Sequence, residues 1–235
     1  GLRAKVFAND CDEDVCLSWF LFKNPHRVEQ TMNPLLNRLV SMVDYLDTTA
    51  GAYPFPEALP ALRTLAWVFE PYRRFRLSGG LFSRNAAAFT SVVTDVEGRI
   101  EAYLVGRGEE LPLDTRYEHL SMEEGWAHVQ EFGAQARTAL FQNGIRAFVS
   151  TTPRPYGRWS YVIGRMSMFV PFPVKDILTS LNIAETLLES PDRWGGSEMI
   201  GGSPRIEGSR LTPSEVTAVV REAVHGTLGC LRSSP

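Results

Sequence analysis

Lys5-Val6-Phe7-Ala8-Asn9-Asp10-Cys11-Asp12-Glu13-Asp14-Val15 is the stretch whose reading decides the fold. Lys5 to Ala8 reads as a short buried strand. Asn9 leaves it, and an acidic cluster follows at once. From about Asp14 onward, Val15, Leu17, Trp19, Phe20 and Phe22 read as a buried helix that stops before Pro25, because proline disfavours helical backbone in the residue preceding it. Acids in a first turn suit the positive end of the helix dipole. A strand that passes into a helix through a polar turn points to a mixed α/β protein. Since the chain opens directly on this strand, residues upstream of Gly1 are expected.

Outward from this stretch, Leu35, Leu36, Leu39, Val40, Met42, Val43 and Leu46 recur at helical spacing, with an end near Asp47. The segment 48–54 reads as loop and 57–69 as helix, with Glu70-Pro71 as its break and Ser78-Gly79-Gly80 as a hinge. A long helix is expected over 85–105, loop over 107–119, and a further helix over 123–141. Residues 145–150 and 159–163 read as strands joined by a Pro- and Gly-containing turn, a hairpin. Helix returns over 174–188, and 194–208 is a Gly- and Ser-rich loop. Thr212-Pro213-Ser214-Glu215 is a capping box with proline at the first helical position, opening a last helix. The expected organisation is two lobes: residues 1–79, a connecting helix and linker over 80–122, and a smaller α/β lobe over 123–235.

Composition narrows the function classes. The 235 residues are 44% hydrophobic and 22% charged, an ordinary globular balance. With 24 basic against 27 acidic residues, no strong basic excess demands a nucleic-acid partner. Three cysteines (Cys11, Cys16 and Cys230) form no framework, which suits a reducing, cytoplasmic compartment. Four histidines (His26, His119, His128 and His225) lack zinc-ligand spacing. No apolar run approaches the roughly 20 residues of a membrane span, so no membrane partner is expected.

Asp10, Asp12 and Asp14 lie at i, i+2 and i+4. Near a strand end, alternate side chains turn toward one pocket, where their mutual repulsion favours a hard cation such as Mg²⁺ or Mn²⁺. An EF-hand loop is excluded, since Val15 and Leu21 stand where it needs Gly and Glu. Two other readings stay open: a haloacid-dehalogenase type of Asp-x-Asp start, and a plain solvated acidic helix start.

The order and separation of two segments resemble the DHH phosphoesterase superfamily, which includes RecJ-like exonucleases and oligoribonucleases. Asp10-x-Asp12-x-Asp14 is similar to its first metal-binding motif, with Val15 in place of the motif's glycine. Gly195-Gly196-Ser197-Glu198-Met199-Ile200-Gly201-Gly202-Ser203-Pro204-Arg205 is similar to its Gly-Gly-His substrate loop, with Ser197 in place of the histidine. Arg165 and Ser167 resemble its strand-end Arg-Ser segment. The resemblance implies a DHH-like first domain and an associated substrate-binding second domain. It also implies Mn²⁺ or Mg²⁺ on Asp10, Asp12 and Asp14, with Asp44 or Asp47 as a separate metal-binding aspartate. Substrate phosphate would be held by Arg165, Gly195, Gly196, Ser197, Gly201, Gly202, Ser203 and Arg205. The expected activity is metal-dependent hydrolysis of a phosphorylated small molecule or short nucleic acid. No Asp-His-His occurs in the chain, so a catalytically silent nucleotide- or protein-binding relative is the alternative.

Among smaller features, Cys11 and Cys16 read as packing residues and Trp19, Phe20 and Phe22 as core. Trp159, Tyr161 and Trp194 read as packing near the glycine loop, and Arg73, Arg74 and Arg76 as a solvated helix end.

Overall fold

The computed structural model describes residues 8, 10–29, 33–48, 55–83 and 85–232. The expected strand over 5–8 and the loop over 48–54 fall almost wholly outside these residues. The described chain is α/β, with many helices and one mixed six-stranded sheet. It divides into two compact units at Leu113/Asp114.

Among the described residues the first unit is helical: α1 (Glu13–Lys23), α2 (Pro25–Glu29), α3 (Pro34–Thr48), α4 (Pro60–Val68), α5 (Glu70–Leu77), a 3₁₀ turn (Gly80–Ser83) and α6 (Ala86–Leu104). Asp12 caps α1, its side chain accepting from the Val15 N–H at 3.2 Å. Asn24 closes the other end, its amide donating to the Phe20 carbonyl at 2.8 Å. Asn85 caps α6 by accepting from Ala87 and Ala88 at 3.0 and 3.2 Å. The expected break at Glu70-Pro71 is present as the joint between two helices: α4 ends at Val68 with Phe69 as its cap, and α5 starts at Glu70, with Pro71 in a first turn whose N–H groups need no helical partner.

Cys16, Leu17 and Phe20 of α1 pack with Leu39 and Val43 of α3, Leu62 and Leu65 of α4, and Val92, Val96 and Ile100 of α6. The long helix α6, expected as a connector, therefore lies within the core of the first unit. Phe20 is buried as expected, whereas Phe22 is 60% exposed and stacks on Trp19. Successive helical residues are turned about 100° apart, so Phe20 and Phe22 cannot share one buried stripe.

The second unit holds β1 (Tyr117–Glu123), β2 (Trp126–Glu131), α7 (Ala136–Gln142), β3 (Ala147–Arg154), β4 (Arg158–Arg165), α8 (Val174–Ala184), β5 (Gly195–Gly196), β6 (Ile200–Gly202) and α9 (Pro213–Arg232). The strand order is β1-β2-β3-β4-β6-β5. β2 and β3 run parallel, joined by α7 as such a pair requires, and the other pairs are antiparallel. Alternation puts Ala147 and Val149 in one core with Ile177, Leu181, Val216 and Val220. Phe148 points the other way, into a core with Leu140 and Phe141 of α7.

The helix expected over 123–141 is replaced by the end of β1, β2 and α7. Gly125 turns the chain at φ +85°, and Trp126, Ala127, His128 and Val129 are buried on both faces of the sheet. A strand covered on both sides loses its alternating signature, and cross-strand pairing overrides helical spacing. The expected hairpin is present as β3–β4. The capping box also forms: the Thr212 N–H donates to the Glu215 carboxylate at 2.7 Å, and the Glu215 N–H reaches the Thr212 hydroxyl at 3.4 Å.

Candidate functional site

The acidic cluster is built by the turn that enters α1. Asp10, Asp12 and Asp14 are partly buried, and Cys11 between them is fully buried. Asp10 accepts from the Cys11 N–H at 2.7 Å. Burial, a hydrogen bond with Asp14 and the Asp14 charge raise the Asp12 carboxyl to about 7; Asp10 adds to this, and the Val15 N–H opposes it. A carboxyl group buried this close to other carboxylates ionises with difficulty, so Asp12 keeps its proton toward neutrality, hydrogen-bonded to Asp14. At the end of α3, exposed Asp47 is pushed upward by the protein beneath it, then by Asp14, Asp44 and Glu13. Burial also raises the Tyr72 phenol; Arg76 opposes this, while Asp10, Glu13 and Asp12 add to it.

The structure thus brings Asp12 and Asp14 into contact, with the charges of Asp10 and Asp47 within reach. Asp44 is exposed. Among the described residues no group of three or more His, Cys, Asp or Glu side chains is arranged to hold a metal ion. Cys11 and Cys16 stay protonated. Burial, then Asp10 and Asp12, push Cys11 up to about 12. Burial raises Cys16 too, and its thiol donates to the Cys11 carbonyl at 3.0 Å. Arg73 pairs with Glu13 at 3.0 Å and Arg74 with Glu70 at 3.4 Å.

The glycine-rich segment of the second unit is a sheet-edge hairpin. Gly195 pairs with Gly202 and Gly196 with Gly201. A Cβ on Gly196 would lie 2.3 Å from Gly201 Cα and from the Ile200 carbonyl, and one on Gly201 would lie 2.4 Å from Leu178. Close packing of the hairpin on itself and on α8 therefore accounts for these two glycines. Gly195 is open, its nearest neighbour 4.0 Å away. The Ser197 hydroxyl closes the turn, accepting from Met199 and Ile200 N–H at 3.2 and 3.3 Å. Buried Ser203 accepts from the Tyr161 N–H at 3.0 Å.

Arg165 is tied into the protein. Its Nε donates to the Glu198 carbonyl at 2.9 Å, one Nη donates to the Val170 carbonyl at 3.0 Å, and the other meets Met168 Sδ at 3.2 Å. It holds the hairpin turn to the loop after β4, while Lys175 binds the Glu198 carboxylate at 2.6 Å. Arg205 is exposed. Tyr161 and Trp194 are buried and stacked at 5.5 Å, a packing pair.

One feature of the second unit carries no sequence signal. A cleft of about 370 Å³ lies between the β1–β2 turn, the segment entering β3 and the loop after β4, and Arg146 lines it. The fully buried His128 is also invisible in sequence spacing. Its Nδ1 lies 2.7 Å from the Thr217 hydroxyl and its Nε2 2.5 Å from the Thr151 hydroxyl. Thr217 donates its own proton to the Pro213 carbonyl at 2.9 Å, so Nδ1 carries the ring proton and Nε2 accepts from Thr151. Burial lowers this histidine to about 4. Among the described residues, no helix is long and apolar enough to cross a membrane. No protein-family model, curated protein or solved structure matches the chain.

Proposed function

We propose that this chain is a divergent relative of the DHH phosphoesterases and hydrolyses a phosphorylated small molecule or short nucleic acid with Mn²⁺ or Mg²⁺. The observation that carries this reading is the Asp12–Asp14 contact, which with burial raises Asp12 to about 7. Crowded carboxylates of this kind are relieved by a proton or by a hard cation. The donors are all carboxylate oxygens, which suits Mg²⁺ or Mn²⁺, and Asp12 and Asp14 are the pair that would hold the ion, with Asp10 and Asp47 beside them. A bound ion there supplies Lewis acidity and a water of lowered pKa. Asp12 would hold such an ion as the deprotonated carboxylate.

A second reading, a catalytically silent module that binds a nucleotide or protein, is favoured by Arg165 and Ser197, whose polar groups are used within the protein. Hydrolysis of bis(4-nitrophenyl) phosphate and of a short oligoribonucleotide, with and without Mn²⁺, separates the two. The enzyme reading expects Mn²⁺-dependent turnover that falls by orders of magnitude in Asp12→Asn. Nucleotide binding without turnover leaves the silent module, and neither result removes both.

A further inference from the structure

We propose that the cleft at one end of the second unit's sheet binds a small ligand made of a planar aromatic ring carrying one anionic group. The β1–β2 turn, the start of β3 and the end of β4 meet at this end, since Ala127 aligns with Phe148 and Ala147 with Arg165. The volume of about 370 Å³ falls within the range of about 300–1,000 Å³ usual for small-molecule pockets. Trp126 and Ile145, 4% and 8% exposed, line it as buried surface, with Val170 beside them. Trp126 packs against Phe172 at 5.8 Å, which keeps the indole in place.

The rim is the unusual part. Phe169 is 97% exposed and Met122 62% exposed, both lining the cleft. Phe169 does not sit on a loose loop. Its N–H donates to the Ser167 hydroxyl at 3.2 Å, Val170 N–H donates to the Ser167 carbonyl at 3.0 Å, and Arg165 clamps the Val170 carbonyl. A phenyl ring held in water on a tied loop, beside an open apolar cleft, is poised to cover a flat apolar ligand.

Charge then selects the ligand. Two ionic side chains line the cleft, Glu123 and Arg146. Glu123 is neutralised by Arg221 of α9 at 2.7 and 3.1 Å. Arg146 is exposed and has no side-chain partner among the described residues. The cleft therefore presents one uncompensated guanidinium beside an aromatic ring, and a forked donor pairs best with a carboxylate or phosphate. A carboxylate and a phosphate ligand share this chemistry, and the probes distinguish them.

The test uses the full chain with naphthalene-2-carboxylate, AMP and uncharged adenosine, followed by backbone NMR shifts and calorimetry. At least one of the two anions should bind, shifting Trp126, Ile145, Arg146 and Phe169. Naphthalene-2-carboxylate binding alone identifies a carboxylate ligand, and AMP binding alone a phosphate ligand. Arg146→Gln, at an exposed position that leaves the fold intact, should weaken the anion about tenfold or more, the loss of one charge-assisted hydrogen bond. Phe169→Ala should weaken it several-fold, and adenosine should bind more weakly than AMP. Failure of both anions to shift these residues at millimolar concentration overturns the proposal, as does anion binding unchanged by Arg146→Gln. Neither readout depends on a metal ion or on turnover.

Discussion

Replacing Asp12 with Asn should stabilise the metal-free protein, although Asp12 caps a helix. The cap survives, because Asn accepts from the Val15 N–H as well as Asp does. Its amide also donates toward Asp14, imitating the protonated acid. What disappears is a buried charge beside another carboxylate. The rise of Asp12 from an ordinary 3.8 to about 7 means that the folded state holds a proton the unfolded chain releases. Wild-type stability contributed by this group is therefore intact below about 3.8, is lost as pH rises through about 7, and stays lost above it. At roughly 1.4 kcal/mol per pKa unit, the ceiling on that loss at pH 8 is on the order of 4 kcal/mol. Rearrangement of the pair and screening at its exposed side reduce this, so a gain of about 1–3 kcal/mol is expected for Asp12→Asn. For a unit of about a hundred residues, each kcal/mol corresponds to roughly 4–8 °C in Tm. The assay is thermal melting of both proteins in chelator, from pH 4 to pH 8. The variant should match wild type near pH 4 and exceed it increasingly toward pH 8. A variant that melts lower at pH 8, or by a margin independent of pH, refutes the reasoning.

His128 works in the opposite direction. Burial lowers it to about 4 from 6.5, so stability is full above pH 6.5 and lost as pH falls toward 4, by up to about 3 kcal/mol. Urea melts should show this loss in wild type and not in His128→Gln. In the hairpin, Gly196→Ala should cost more than about 2 kcal/mol, because its Cβ would meet backbone at 2.3 Å. Gly195→Ala, with its nearest neighbour at 4.0 Å, should melt within about 0.5 kcal/mol of wild type in the same urea assay.

Where a segment's structure depends on its own residues, it was legible in advance. The start of α1 followed from acids before an apolar run, the start of α9 from Thr212 and Glu215, and the β3–β4 hairpin from two β-rich runs around a Pro-Gly turn. Non-local contacts hid the rest. β2 is buried on both faces, so Trp126-Ala127-His128-Val129 shows no strand periodicity. β5 and β6 are too short to announce themselves, and their glycines serve the close packing of the hairpin as well as any ligand. The acidic cluster was visible as a cluster, and the Asp12–Asp14 contact follows from its spacing. The engagement of Arg165 was not, because its partners are largely backbone carbonyls brought near by the turn at Glu198 and the loop at Val170. Arg146 and Phe169 line one cleft from two separate loops and Met122 from the end of β1, a juxtaposition made only by the sheet.

The central claim is that the carboxylates around Asp12 exist to hold a divalent cation, and Mn²⁺ binding measured by electron paramagnetic resonance tests it most directly. Titrating Mn²⁺ into the wild-type chain at pH 8 should show saturable loss of the free-ion signal, competed by Mg²⁺. Asp12→Asn and Asp14→Asn should each weaken that binding at least tenfold. A wild-type chain that leaves the Mn²⁺ signal unchanged, or variants that bind as wild type does, would contradict the account.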